Sequence, residues 1–306
     1  MDYSSLINDI RHDFSGMALR EDEPLARHCS FRIGGPAPLL LLPRSAGELA
    51  DLCVWLAKKG QTPFLMGNGT NLLFPDEGLR RVVVKTCQNA GAITVDEAAG
   101  TVAAECGATL SRTAAAAQSA GLAGLEFAHG IPGSVGGGVV MNAGAYGGEL
   151  KDVVAETEYL DGKTMTVSTL RGAEHEFSYR HSLLSEREGV VLRTVFALAS
   201  GDPAAIAARM QELAEKRRNS QPLDMPSAGS TFKRPQGGFA AALIDQAGLK
   251  GFSVGGAQVS PKHAGFVVNT GGATCDDVLR LMEHIRKTVY DHAGILLEPE
   301  VRIIRE

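Results

Sequence analysis

The chain is short of the features that would assign it to several common classes. It has a single tryptophan, five cysteines and no apolar run long enough to cross a bilayer; its most apolar run is only Leu39-Leu40-Leu41-Leu42. The cysteines (Cys29, Cys53, Cys87, Cys106, Cys275) are odd in number, scattered and without a C-x-x-C pair. That argues against a disulfide framework or a structural zinc site and fits a reducing cytoplasm. The eight histidines show no H-E-x-x-H or similar spacing, so no metal is expected. Met1-Asp2-Tyr3-Ser4-Ser5 lacks the basic start and apolar core of a secretory leader. A net charge of −5 disfavours nucleic acid as a partner. No G-x-x-x-x-G-K-[ST] loop, G-x-G-x-x-G strand-to-helix turn or G-x-S-x-G elbow occurs, which lowers the case for P-loop, Rossmann and serine-hydrolase chemistry.

What is present is glycine, concentrated in two places. Residues 131–148, IPGSVGGGVVMNAGAYGG, carry no charge and seven glycines; the only polar side chains are Ser134, Asn142 and Tyr146. Gly67-Asn68-Gly69-Thr70-Asn71 has the same character and follows the apolar segment Pro63-Phe64-Leu65-Met66. Without a Cβ the backbone can approach a ligand closely, and successive N–H groups form a concave nest for anionic oxygens. Two such loops suggest a phosphate-bearing cofactor gripped from two sides. The plainer reading is a pair of flexible surface loops, although long surface loops usually carry charge.

With 306 residues, 44% hydrophobic and 21% charged, the chain has material for two or three globular domains. Ser45-Ala46-Gly47-Glu48 reads as a capping box opening a helix that Gly60 stops. A short apolar strand and the first glycine loop follow, then Val82-Val83-Val84, in a β-α-β-like passage. Segments 92–95 and 101–106 predict a hairpin, and 109–120 a helix closed by Gly121. Asp161-Gly162 predicts a tight hairpin between 153–160 and 163–167. Segment 190–198 predicts a strand. Asp202-Pro203 opens a helix to about Arg218, and 238–248 reads as helical. Thr274 caps a further helix with Val278, Leu281, Met282, Ile285 and Val289 on its apolar face. A last strand is expected over 295–304. The texture divides near residues 90 and 200, giving expected domains 1–90, 91–200 and 201–306 in an α+β fold.

Three polar positions lie in unusual surroundings. Arg180, in Tyr179-Arg180-His181-Ser182, has the planar fork suited to an anionic substrate, against the plainer reading of a surface salt bridge. Ser230, in Gly229-Ser230-Thr231-Phe232-Lys233, places a hydroxyl among small residues, against the reading of a turn serine. Glu300 lies between Pro299 and Val301, against the reading of a solvated face shared with Glu298 and Arg302. Spacing alone decides none of them.

The ordered set is more specific. Ser30-Phe31-Arg32-Ile33-Gly34-Gly35, Gly67 through Leu73, Gly130-Ile131-Pro132-Gly133-Ser134-Val135-Gly136-Gly137 and Met141-Asn142-Ala143-Gly144-Ala145-Tyr146-Gly147 come first. Tyr179-Arg180-His181-Ser182, Gly229 through Pro235, Gly255 through Ser260, Lys262-His263-Ala264-Gly265-Phe266 and Leu297-Glu298-Pro299-Glu300-Val301 complete it. Together, from about Pro24 to Ile304, they resemble the UDP-N-acetylenolpyruvoylglucosamine reductase family, MurB, of peptidoglycan synthesis. A flavin oxidase of the same cofactor fold would share the glycine loops but lack the arginine, serine and glutamate motifs.

The resemblance implies a two-subdomain FAD-binding unit of the PCMH, or vanillyl-alcohol-oxidase, type, followed by an α+β substrate domain. It implies FAD held noncovalently, with His129 not an attachment site, and NADPH as hydride donor. Arg32, Gly67, Asn68, Gly69, Thr70, Asn71, Gly130, Ile131, Pro132, Gly133, Ser134, Gly136 and Gly137 would hold the cofactor. Asn142, Ala143, Gly144, Ala145 and Tyr146 would line it nearer the isoalloxazine. The family's reaction delivers hydride to C3 of the enolpyruvyl ether of UDP-N-acetylglucosamine and a proton to C2, giving the lactyl ether, UDP-N-acetylmuramate. Arg180 and Glu300 match the groups that stabilise the developing negative charge, and Ser230 matches the proton donor. Arg180 and Ser230 are only about fifty residues apart, resembling the shorter, type II form that lacks the lid insertion. Arg217, Arg218, Lys233, Arg234 and His263 are candidates by charge for the UDP diphosphate. No nucleic acid, membrane or obligate protein partner is expected.

Overall fold

The computed structural model describes residues 3–87 and 89–305; Met1 and Asp2, the start of the segment read for a leader, lie outside them. The described residues group into two compact units. The first comprises the segments up to Glu21, Leu39–Asn68 and Arg81–Lys216; the second comprises Asp22–Pro38, Gly69–Arg80 and the segment from Arg217 onward. Residues 22–38 and 69–80, within the expected first subdomain, thus group with the C-terminal segment.

The first unit is built on two sheets. Strands Pro36–Leu42, Val83–Lys85 and Phe64–Met66 pair in parallel in that order, with Ala18–Pro24 at the edge. The β-α-β-like passage is therefore present. The helix Ala46–Lys58 makes the return, its N-terminus held by the Ser45 hydroxyl accepting from the Glu48 N–H at 3.1 Å. The Glu48 carboxylate does not close the expected box; it turns to the Arg44 N–H and guanidinium instead. Leu49, Leu52, Cys53 and Leu56 are buried along one helical face. The second sheet is antiparallel, in the order Val167–Arg171, Val154–Asp161, Gly189–Ala197, Thr101–Glu105, Ile93–Asp96. One core contains Leu39, Leu41, Leu52, Val84, Val102 and Phe196.

Asp161-Gly162 does not form the expected two-residue hairpin. The Asp161 carboxylate accepts from the Lys163 and Thr164 N–H groups at 2.9 and 3.0 Å, and Leu160 pairs with Val167, so the loop is longer. The Gly162 N–H is also committed, to the Glu188 carbonyl at 2.9 Å. The Asx-type turn and the neighbouring strand thus override the dipeptide preference.

Several glycines of residues 131–148 serve packing. A Cβ on Gly136 would lie 2.9 Å from Cys106 Cβ, and the Gly136 N–H already donates to the Cys106 carbonyl at 2.9 Å. A Cβ on Gly138 would press on Leu150 and Leu110, and one on Gly148 on the Phe127 ring. The short helix Val135–Val140 therefore lies against the antiparallel sheet at a distance only glycine permits.

In the second unit, strands Ser253–Val254, Ala257–Val259 and Val267–Asn269 form a small antiparallel sheet. The helix Cys275–Ala293 has the expected reciprocal cap, Thr274 with Asp277. Asp76 adds a second acceptor, taking the Cys275 and Asp276 N–H groups at 2.8 and 3.3 Å. Val278, Leu281, Met282, Ile285 and Val289 are all buried, and Gly294 ends the helix at φ +68°. The predicted helices near 238–248 and from Pro203 appear as Ala240–Gln246 and Pro203–Ser220. The expected last strand is divided: residues 298–300 pair antiparallel with 231–233, and Arg302–Ile303 pairs in parallel with Leu72–Leu73. Just before the first of these pairings, Arg286 Nε donates to the Leu297 carbonyl at 3.0 Å. Among the described residues no helix is long and apolar enough to cross a membrane.

Two outcomes follow for stability. Gly136→Val inserts three carbons where one already collides, so it should destabilise the fold by about 1–3 kcal/mol, as overpacked cores do. Denaturant melts check this, and an unchanged midpoint would show that the helix can shift. His175 is buried, with Nδ1 3.0 Å from the Gly172 carbonyl, Nε2 2.9 Å from Thr157 Oγ1, and its ring stacked on Phe177. Burial lowers its pKa, so the unfolded chain binds the proton more readily than the folded one. The stability held above about pH 6.5 should fall as pH drops from there through the lowered pKa. His175→Gln should flatten that part of the stability–pH curve; identical slopes for the two proteins would refute the assignment.

Candidate active site

The two glycine loops meet inside the first unit. Gly67 follows directly on the strand Phe64–Met66 and lies so close to Ser134 that a Cβ there would run into the Ser134 hydroxyl. Asn68 Nδ2 donates to the Pro132 carbonyl at 2.7 Å. The second loop is fixed from its other side, where Leu110 N–H donates to the Gly133 carbonyl and Val135 N–H to the Ala108 carbonyl. The N–H groups of Gly67, Asn68, Gly133 and Ser134 donate to no acceptor among the described residues. Unpartnered donors on two touching loops suit the oxygens of a pyrophosphate. The residues present therefore fit the phosphate portion of a dinucleotide such as FAD.

Not every residue assigned to that grip belongs in it. Gly136 is buried against Cys106 with its N–H engaged, so it cannot face a phosphate. The Ile131 N–H is bonded to the Ala128 carbonyl at 3.0 Å, and the Ala143 N–H to the Gly138 carbonyl at 2.8 Å. The Gly137 N–H reaches the Ser134 hydroxyl at 3.4 Å. Asn142 is fully buried and its side chain is used three times by the protein. Nδ2 donates to Glu149 Oε2 and to the Ser178 carbonyl, both at 2.9 Å, and Oδ1 accepts from the Lys151 N–H at 2.9 Å. Its side chain therefore supports the site from behind rather than lining it.

Beyond Asn142 a tight hairpin joins Gly144–Ala145 to Gly148–Glu149. Tyr146 and Gly147 occupy the turn at φ +53° and +91°, the left-handed pair that such turns require. The tyrosine is 40% exposed in a position that asparagine or glycine fills at lower cost. Arg180 stands on a second turn, closed by Ser178 N–H to the His181 carbonyl at 3.1 Å and the reverse bond at 3.2 Å. It too is left-handed, at φ +57°. Its guanidinium lies 5.1 Å from the Tyr179 ring centre and 3.4 Å from the Gly144 carbonyl. Glu149 stands behind the two turns; Lys151, 2.9 Å away, and then Asn142 and Arg180 hold its carboxyl below the usual range.

In the second unit, motifs far apart in the chain become neighbours. Phe232 pairs with Pro299, Lys233 N–H donates to the Glu298 carbonyl, and Glu300 N–H donates to the Thr231 carbonyl at 2.8 Å. This short antiparallel ladder puts the Ser230 and Glu300 motifs side by side. Glu300 is half-buried while Glu298 and Arg302 are exposed, so the three do not share one solvated face. Asn71 Nδ2 donates to the Glu300 carbonyl at 3.1 Å, and Ser30 N–H to the Gly69 carbonyl at 3.1 Å. Ser30 Oγ reaches the Ser227 carbonyl at 2.6 Å. The Arg32 stretch, the Gly69–Asn71 part of the first loop and the Ser230–Glu300 pair are thus stitched together. Arg32 itself is exposed and left-handed at φ +56°.

The cations proposed for a diphosphate divide. Lys233 Nζ lies 3.5 Å from Glu298, and Arg234 stacks over Phe239 at 4.2 Å. The Arg218 carbonyl accepts from Lys262 at the end of the helix that also carries Arg217. His263 is a poor candidate. Its Nδ1 accepts from the Gly265 N–H at 3.1 Å, and burial, followed by the charge of Lys250, lowers its pKa, so it brings no positive charge near neutral pH. Sequence reasoning passed over Glu149 and Ser178 altogether. Glu149 was visible only as the charge that ends the uncharged stretch. Among the described residues no group of three or more His, Cys, Asp or Glu is placed to hold a metal.

Comparison with known proteins agrees with this layout. Residues 37–170 match the FAD binding domain family, and residues 221–304 match the UDP-N-acetylenolpyruvoylglucosamine reductase C-terminal domain. The crystal structure of UDP-N-acetylenolpyruvylglucosamine reductase (MurB) from Thermus caldophilus superposes with a TM-score of 0.79 at 34% identity, covering 94% of this chain and 100% of that one. Alkyldihydroxyacetonephosphate synthase, at 16% identity and TM-score 0.52 over 65% of this chain and 41% of that one, shares the fold alone. The UDP-N-acetylenolpyruvoylglucosamine reductase of Caldanaerobacter subterraneus subsp. tengcongensis is 48% identical over 98% of each chain. The chain belongs to the UDP-N-acetylenolpyruvoylglucosamine reductase family.

Proposed function

We propose that this protein reduces the enolpyruvyl ether of UDP-N-acetylglucosamine to UDP-N-acetylmuramate for peptidoglycan synthesis, using NADPH and bound FAD. The observation that carries the reading within the site is the ladder between residues 231–233 and 298–300, which brings the Ser230 and Glu300 motifs together. An unrelated FAD protein has no need of that juxtaposition. The experiment that tests it is anaerobic titration of the yellow protein: NADPH should bleach it, and the enolpyruvyl substrate should restore the colour. A colourless protein after gentle purification, or no recolouring by substrate, would defeat the proposal.

FAD, when bound, supplies hydride transfer; the protein supplies position, charge and a proton. The free N–H groups of Gly67, Asn68, Gly133 and Ser134 would hold the pyrophosphate, and Gly69, Thr70, Asn71, Gly130, Pro132 and Arg32 are assigned to the cofactor with them. Tyr146 and the adjoining Gly144 and Ala145 would line it nearer the ring. Arg180 holds the substrate carboxylate, where a guanidinium fork offers two parallel hydrogen bonds. It also opposes the negative charge that grows at C2 as hydride reaches C3. Glu300 helps there when it carries or shares a proton, since a bare carboxylate would repel the same charge. Ser230 gives the proton to C2. The roles assigned by region are FAD-binding subdomains over 1–90 and 91–200 and a substrate domain over 201–306. Arg217, Arg218, Lys233 and Arg234 remain the cations available for the UDP diphosphate. The short interval from Arg180 to Ser230 supports the type II form, and this reading has the enzyme act in the cytoplasm with no nucleic-acid, membrane or obligate protein partner.

FAD is held noncovalently in this reading, so acid precipitation should release all flavin to the supernatant; flavin left in the pellet would contradict it. Ser230→Ala should bind FAD and bleach with NADPH at a near-normal rate. Its recolouring by the enolpyruvyl substrate should slow by about 10²–10⁴-fold, the usual loss on removing a positioned general acid. Stopped-flow measurement of both halves decides, and equal slowing of the two would remove Ser230 from the proton-donor role.

A further inference from the structure

We infer that Asn142 is a positioning residue for Arg180, acting through the Ser178 carbonyl and the Glu149 carboxylate. The inference rests on the reading of Arg180 as a substrate-binding group. The Ser178 carbonyl receives two donors: the His181 N–H at 3.2 Å, which closes the turn carrying Arg180, and Asn142 Nδ2 at 2.9 Å, which ties that turn to the interior. The second proton of the same amide goes to Glu149 Oε2 at 2.9 Å, and its oxygen accepts from the Lys151 N–H at 2.9 Å. One fully buried amide therefore joins the Arg180 turn to the far end of the Gly144–Glu149 hairpin. The Arg180 guanidinium meets the near end of that hairpin at the Gly144 carbonyl, 3.4 Å away.

The chemistry of the amide is specific. A buried asparagine with both protons and its oxygen engaged holds three backbone or side-chain groups in one plane. Aspartate has the same shape but offers no donor, so it would set a carboxylate oxygen against the Ser178 carbonyl and Glu149. Asn142 itself is left-handed at φ +42°, a conformation asparagine tolerates better than most residues. Arg180 also has positive φ, so its turn needs outside support to stay closed. Ser182, buried two residues on, supplies part of it through its hydroxyl to the Val140 carbonyl at 2.9 Å. Asn142 reaches, from outside the turn, the carbonyl that closes it.

The test uses the holoenzyme and three variants, Asn142→Asp, Arg180→Ala and the double. Asn142→Asp should recolour with the enolpyruvyl substrate on the order of 10²-fold more slowly, the loss expected for a misplaced binding group. Added to Arg180→Ala it should cost nothing further, because the group it positions is gone. Amide hydrogen exchange should quicken at His181 while exchange in the helix Ala46–Lys58 stays unchanged, a local loosening that global destabilisation would not give. Additive slowing in the double variant, or unchanged exchange at His181, would overturn the role of Asn142. Wild-type recolouring by Arg180→Ala would instead overturn the reading of Arg180 beneath it. Should Asn142→Asp fail to fold, Asn142→Ser carries the same cycle, with the same two results deciding.

Discussion

The first unit depends on one close approach. The backbone at Gly136 lies against Cys106, with its N–H on the Cys106 carbonyl and no room for a side chain. Strand Thr101–Glu105 is paired on both sides within the antiparallel sheet, so what is pinned to the residues after it inherits the rigidity of the sheet. Residues 133–135 are pinned next to it, by bonds to Ala108 and Leu110, and Gly67 can then touch Ser134. The free N–H groups are a by-product of that geometry: segments fixed by their carbonyls and flanking amides leave the intervening donors without partners. Binding capacity here comes from packing, one layer back from the ligand.

A second constraint is local and unfavourable. Of seven non-glycine residues with positive φ among those described, four (Arg32, Asn142, Tyr146, Arg180) belong to the motifs assigned to cofactor and substrate. Such conformations cost about 1–3 kcal/mol each, less for asparagine. Glycine would relieve Tyr146 and Arg180 at once. That an aromatic ring and a guanidinium stand there instead means their side chains are worth more than the relief. The surrounding bonds, the paired turn at Ser178 and His181 and the two-residue hairpin at Tyr146, hold them in place.

Legibility in the sequence followed the range of the interactions. The helix Cys275–Ala293 was readable from its start and its buried face because its cap and its 3.6-residue apolar stripe are local signals. Asp161-Gly162 misled because its outcome depends on a strand almost thirty residues further on. The last strand misled because apolar alternation marks an extended segment whatever its partners, and here they change along it, from residues 231–233 to Leu72–Leu73. At the site, the ordered motifs singled out Arg180, Ser230 and Glu300. They could not separate Gly67, whose N–H is free, from Gly136, whose N–H is buried. Glycine looks the same in sequence whether the atom it makes way for belongs to a ligand or to a cysteine. Nor could they show that the Asn142 amide faces inward, since its three partners lie seven, nine and thirty-six residues away.

The Asp76 cap on the helix Cys275–Ala293 spans 199 residues of chain. During synthesis Asp76 leaves the ribosome long before its partner exists. At ordinary elongation rates of roughly 5–20 residues per second the interval is about 10–40 s. For that time the segments Asp22–Pro38 and Gly69–Arg80 have no finished unit to join, while the parallel strands Pro36–Leu42, Phe64–Met66 and Val83–Lys85 are already complete. Buried residues such as Phe31, Leu73 and Phe74 are then exposed on a nascent chain. The interleaved order that brings the motifs of the second unit together makes that unit the last to form and leaves its early segments the most dependent on chaperones.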